Sequence, residues 1–234
     1  MTYRRPQARQ LAVVAGASGL VGRELVLRLL RHPGYSRIVA LTRRPLGIDN
    51  ARLSEVPARF ESLEPTLSSA VSEPARLDAY CCLGTTIRAA GSEAAFRTVD
   101  HDYVVAFGQW AARHRAYRLV VVSALGADAQ SAVFYNRVKG ETENALRALA
   151  PSSLVILRPS LLDGHRRERR LGESFALAFA RPLRAVLPAA IRPVSADDVA
   201  QSMIDAALMN AAPATVESAA MQGAAARADT AATA

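Results

Sequence analysis

The chain has 234 residues, half of them hydrophobic, enough to bury one sizeable core and near the upper size for a single domain. A formal charge of +8 invites a nucleic-acid partner, but the arginines are spread along the chain and no zinc, helix-turn-helix or RNA-recognition pattern accompanies them, so none is expected. No apolar run approaches the roughly 20 residues of a membrane-spanning helix, and His32, His101, His114 and His165 lack metal-ligand spacing, so neither a membrane partner nor a metal site is expected.

Residues 1–10 read as a short, basic, flexible N-terminus rather than a signal peptide. The apolar run Leu11–Ala15 then reads as a buried strand that stops at Gly16-Ala17-Ser18-Gly19-Leu20-Val21-Gly22, and residues 20–31 have helical periodicity. Strand, glycine turn and helix in this order make a phosphate cradle. The glycines let the backbone approach a pyrophosphate, and the helix start, with Ser18, Leu20 and Val21 between the glycines, presents free N–H groups and a positive dipole end.

A second strand over residues 37–42 is followed by Arg43 and Arg44, where a chain that binds NAD would carry a carboxylate for the ribose 2′-hydroxyl. Guanidinium groups pair with phosphate, so NADP(H) is the expected cofactor, with Arg43 favoured over Arg44 as the 2′-phosphate ligand. Further strands are expected near residues 57–60 and 78–83. The latter exits through Leu83, Gly84, Thr85 and Thr86, small enough to let the backbone pass close to a cofactor. Adjacent Cys81 and Cys82 would point to opposite faces of that strand and cannot easily bridge, so reduced thiols and a cytoplasmic location are expected.

A helix over 98–114 precedes a strand over 118–123, which ends in Ser123. The next helix, 134–149, holds Tyr135 and, four residues on, the only lysine beside 28 arginines, Lys139. Residues four apart share a helical face, so the ammonium can approach the phenol and favour its ionised form. A strand over 153–158 leads to Pro159 and Ser160, and a helix is expected over 197–209, with Ser195 or Asp197 as its cap. The alternation of strands and helices argues an α/β doubly wound, mostly parallel sheet over residues 11–210. Only a small cap fits, at about 161–193, and the basic run His165–Arg170 within it would either steer an acidic ligand or stand as a solvated loop. From Ala211 to 234, alanine and small polar residues suggest a disordered tail.

Ser123, Tyr135 and Lys139, with the glycine turn, the Cys81-Cys82-Leu83-Gly84-Thr85-Thr86 segment and the Thr98–Val104 segment, resemble the atypical short-chain dehydrogenase/reductases of the TIP30-like branch. That resemblance spans about Val13 to Ala200 and implies a Rossmann-like fold and an NADPH-dependent oxidoreductase. It also implies that Pro159 and Ser160 pass the nicotinamide, as the Arg-Pro segment after the sixth strand does in the family. In this reading Tyr135 donates a proton to a small carbonyl substrate, Ser123 hydrogen-bonds its oxygen and Lys139 holds the nicotinamide ribose. Where extended members usually carry an Asn, this chain has Asp100, which would either retain the proton relay or lock Lys139 into a salt bridge. A second class stays open, a non-catalytic NADPH-binding regulatory or scaffold protein. A homodimer is suggested by analogy with the family.

Overall fold

The computed structural model describes residues 10–68, 70–71, 76–149, 154–163 and 188–233. Seven parallel strands form one sheet: β1 (Gln10–Ala15), β2 (Tyr35–Thr42), β3 (Leu53–Pro57), β4 (Arg76–Cys81), β5 (Arg118–Val122), β6 (Leu154–Arg158) and β9 (Thr215–Glu217). Their order is β3-β2-β1-β4-β5-β6-β9, and β7 (Leu162–Asp163) pairs separately with β8 (Val194–Ser195). The strand order reverses between β1 and β4, which opens a crevice at the carboxyl ends of the strands.

The apolar strands have two buried faces because helices cover both sides. Ala12 and Val14 of β1, Ile38 and Ala40 of β2, and Val120 of β5 face a core closed by α1 (Leu20–Arg31) and α7 (Ala196–Leu208). Leu11, Val13 and Ala15, with Val39, Leu41, Leu119 and Val121, face the other core. That core is closed by α2 (Leu63–Ser68), α5 (Tyr103–Arg113) and α6 (Phe134–Ala148). The alternation of successive residues between the two cores follows from the two-residue period of a strand. The doubly wound parallel sheet expected from the sequence is the fold observed.

Two expectations are corrected. The third strand lies at Leu53–Pro57, ahead of the expected 57–60, and Phe60–Ser62 instead forms a turn of 3₁₀ helix. The alanine-rich segment beyond Ala211 is built into the structure: β9 pairs with β6, and α8 (Ser218–Met221) and α9 (Ala224–Thr233) follow it. Met221 is fully buried, the Ala225 N–H bonds Asp198 at 3.0 Å, and Arg28 reaches Asp197 at 2.5 Å and Asp229 at 3.1 Å. Composition suggested disorder there because alanine carries little hydrophobic surface; pairing with β6 and packing on α7 supply what the segment lacks by itself. Ser195 caps α7 by accepting the Asp198 N–H at 3.0 Å. The basic run 165–170, most of the expected cap and residues 1–9 lie outside the described residues.

Candidate active site

The turn between β1 and α1 requires glycine at two places for different reasons. Gly16 has φ +78°, and a Cβ there would lie 2.7 Å from the Cys82 carbonyl oxygen, against the exit of β4. At Gly22 a Cβ would lie 2.2 Å from the Gly16 carbonyl oxygen, so the first turn of α1 packs directly on the loop. Gly19 is exposed and extended, with φ −76° and ψ 173°. It offers no side-chain cap, and the first turn of α1, Leu20-Val21-Gly22, contains no acidic residue. A 12-residue helix whose N–H groups are left without a cap or a carboxylate is suited to an anion. Ser18 is half-buried beside them. These residues therefore fit a dinucleotide pyrophosphate.

Arg43 and Arg44 are both exposed at the end of β2, and the Thr42 hydroxyl donates to the Arg44 carbonyl at 2.6 Å. The Ala17 N–H bonds the Leu41 carbonyl at 3.3 Å, which places the glycine turn beside the strand end that carries the arginines. On the other side, Leu83, Gly84, Thr85 and Thr86 leave β4; the Thr86 hydroxyl accepts the Ala89 N–H, and Gly84 is exposed. Pro159 and Ser160 leave β6, where the Pro159 carbonyl accepts the Leu125 N–H at 2.8 Å. Ser160 is occupied by the C-terminal region: its hydroxyl donates to the Arg192 carbonyl at 2.5 Å, and its N–H bonds the Ser218 hydroxyl at 3.2 Å.

Asp100 joins several of these segments. It is fully buried in a π-helical stretch, Thr98–Asp102, with Oδ1 2.7 Å from Lys139 Nζ and Oδ2 accepting the Thr85 N–H at 2.8 Å. The Thr142 hydroxyl bonds the Asp100 carbonyl at 3.0 Å, tying this stretch to α6. The wide turn thus aims one carboxylate at both the cofactor-side loop and the lysine, a common use of such insertions. Burial alone would depress the Lys139 ammonium, but the charge of Asp100, the neighbouring Tyr135 and the hydrogen bond the ammonium donates to Asp100 carry it above its ordinary value. Burial pushes the Cys81 thiol nearby up to about 12.

Tyr135 lies half-buried on the same face of α6, its ring 5.4 Å from that of Phe96. No hydrogen bond engages its hydroxyl among the described residues. Tyr135 thus stands one helical turn before Lys139 and near enough to act on its charge, and Asp100 anchors the lysine.

Ser123 follows the end of β5. Its hydroxyl is buried and donates to Glu143 Oε1 at 2.6 Å. Glu143 also receives Arg158 through Nε at 2.9 Å and Nη2 at 2.6 Å, and Arg147 at 2.9 Å. Burial works to raise the Glu143 carboxyl, and hydrogen bonds from Arg158 and Ser123 with the Arg158 charge overcome it and hold it below the usual range. A carboxylate between two arginines is a strong acceptor, and it holds the Ser123 hydroxyl in this structure. The readable signal for Glu143 was its spacing, four residues after Lys139 on one helical face. Its partner Arg158 comes from β6 rather than from α6, which sequence spacing does not show.

No family model matches the chain. Protein HTATIP2 of Rattus norvegicus is 32% identical over 166 residues, covering 71% of this chain and 68% of that protein. The chain belongs to the HTATIP2 (TIP30) family of atypical short-chain dehydrogenase/reductases. The family extends to fungi: Protein FMP52, mitochondrial, of Candida albicans is 32% identical over 203 residues, covering 82% of this chain and 85% of that protein. Among solved structures, the Bordetella bronchiseptica enzyme WbmG in complex with NAD superposes with a TM-score of 0.66 at 15% identity, over 94% of this chain and 75% of that one. The fungal members also correct the expected cytoplasmic location, since they are named as mitochondrial proteins. Two free cysteines do not by themselves separate one compartment from another.

Proposed function

We propose that this protein is an NADPH-dependent reductase of carbonyl compounds. The observation that carries the reading is the α6 face itself: a tyrosine with an unengaged hydroxyl beside the chain's only lysine, whose buried ammonium is held by Asp100 at 2.7 Å. Family membership and the uncapped glycine turn support it.

The turn from Gly16 to Gly22 would hold the pyrophosphate, and Arg43, with Arg44 beside it, the 2′-phosphate. Leu83 to Thr86 and Pro159-Ser160 would flank the nicotinamide, with Lys139 on its ribose. Bound there, NADPH supplies the hydride. Tyr135 gives its proton to the substrate oxygen as that oxygen gains negative charge. The Lys139 ammonium offsets the charge left on the tyrosine oxygen, and Asp100 keeps that ammonium protonated and in place. Ser123 acts from behind this face, through Glu143, on the position of α6 relative to β5 and β6.

A second reading, a cofactor-binding scaffold without turnover, is favoured by the same ion pair, which ties up the lysine, and by the engagement of Ser123 with Glu143. NADPH consumption across aldehydes, ketones and quinones separates the two. Tyr135→Phe is expected to lower turnover by roughly a hundredfold or more while leaving NADPH affinity nearly intact. Arg43→Ala is expected to weaken NADPH by roughly tenfold and leave NADH unchanged. Equal turnover in wild type and Tyr135→Phe removes the proton-donor role; tight NADPH binding with no turnover on any carbonyl favours the scaffold.

A further inference from the structure

Scattered exposed apolar side chains are ordinary on a protein surface, but their distribution here is uneven. Seven large hydrophobic residues are exposed among the described residues: Ile87, Tyr117, Leu125, Val133, Leu161, Ile191 and Met209. Tyr117 and Met209 belong to the amino-terminal ends of the strands, where Arg76 stacks on the Tyr117 ring and Arg118 donates to the Met209 carbonyl. The other five stand at the opposite end, around the crevice that holds Tyr135.

Short contacts tie these five to the site. The Leu125 N–H bonds the Pro159 carbonyl at 2.8 Å, and the Leu161 carbonyl accepts the Val194 N–H at 2.9 Å. Ile191 precedes Arg192, whose carbonyl accepts the Ser160 hydroxyl. Val133 comes two residues before Tyr135, and Ile87 two residues after Thr85, whose N–H is held by the same Asp100 that anchors Lys139. Segments after β4, β5 and β6, the start of α6 and the residues before β8 thus each carry one exposed apolar residue at the carboxyl-end side of the sheet, the side on which Tyr135 stands. A mouth with apolar walls around one polar reacting group selects by hydrocarbon area.

Resting on the reductase reading, we propose that the substrate is an apolar carbonyl compound whose hydrocarbon chain lies against Leu125, Val133, Leu161 and Ile191 while its oxygen meets Tyr135. Burial of hydrocarbon then sets specificity, and each methylene that reaches this wall raises affinity by roughly threefold to fourfold.

The test has two arms. The first compares kcat/KM for butanal, hexanal and octanal. The second titrates the protein, saturated with oxidised NADP, with butanol, hexanol and octanol by calorimetry, a readout that needs no turnover. Both series are expected to climb by roughly tenfold for every two methylenes. Leu161→Ser with Ile191→Ser is expected to flatten both, and Met209→Ser, at the far end of the sheet, to leave both slopes as they are. A flat alcohol series overturns the proposal whatever the aldehydes do. A climbing alcohol series without turnover of any aldehyde supports the apolar wall and refutes the reductase reading instead. If the double variant keeps the slopes and only dissociates a dimer, as read by light scattering, the wall is a subunit contact and the proposal falls.

Discussion

Asp100→Asn removes one charge from the centre of the site and keeps nearly the same shape. Asp100 is fully buried, 2.7 Å from a lysine that is itself almost completely buried. At an effective dielectric of about 20, unit charges at that distance attract by ~6 kcal/mol before desolvation is counted. Breaking such a pair by removing one partner costs about 3–5 kcal/mol, because the remaining charge is left without compensation. For a domain of this size that corresponds to a melting temperature lower by about 10 °C. The pH dependence has a definite sign. In wild type the Lys139 ammonium is raised above its ordinary value, so its contribution is complete below that value and is lost only as pH rises through the folded value. In the variant, burial acts on Lys139 without Asp100 and depresses it, so stability recovers as the lysine sheds its proton with rising pH. Urea melts at about pH 7 and about pH 10 should therefore show a large gap that narrows at the alkaline end. Equal stability at neutral pH, or a gap that does not change with pH, would refute the claim that a buried ion pair organises this site.

Gly22→Ala places a Cβ 2.2 Å from the Gly16 carbonyl oxygen and 2.9 Å from the Ala17 Cα, both backbone, so the turn must move. A loss of about 2–3 kcal/mol in urea melts is expected, with weaker NADPH binding by calorimetry. Glu143→Gln leaves Arg158 and Arg147 without their carboxylate and weakens the Ser123 bond, and an expected loss of about 2 kcal/mol allows for the partial exposure of both arginines. Because the Glu143 carboxyl is held below the usual range, its contribution is present above the ordinary carboxylate value and disappears as pH falls through the folded one, so the two proteins should converge in acid. A gap between them that does not shrink as the pH is lowered contradicts that assignment.

Much of this architecture could be read before any coordinates, for identifiable reasons. The glycine turn is encoded within a few consecutive residues, and Tyr135 and Lys139 are one helical turn apart, so local geometry decides both. The parallel sheet followed from apolar runs separated by amphipathic stretches. What escaped depended on distant residues. The end of β5 brings Ser123 to the site, but the acceptor of its hydroxyl, Glu143, stands twenty residues on and in a different element. The Leu53–Pro57 strand is only half-buried at the sheet edge and offers just Leu53 and Val56 as apolar strand formers, so its boundary was blurred. The segment after Ala211 was misread because three residues of strand have no signature of their own; their conformation comes from the edge they complete.

That completed edge has a consequence for how the chain reaches this state. Each of the first five strands finds its neighbours among segments that precede it or soon follow, but β6 waits for Thr215–Glu217. During synthesis the Val155-Ile156-Leu157 backbone leaves the ribosome as an open parallel edge, with its N–H and carbonyl groups unpaired and apolar side chains on both sides. A chain that ends before residue 215 would keep that edge open to pairing with another copy, and Thr215–Glu217 closes it.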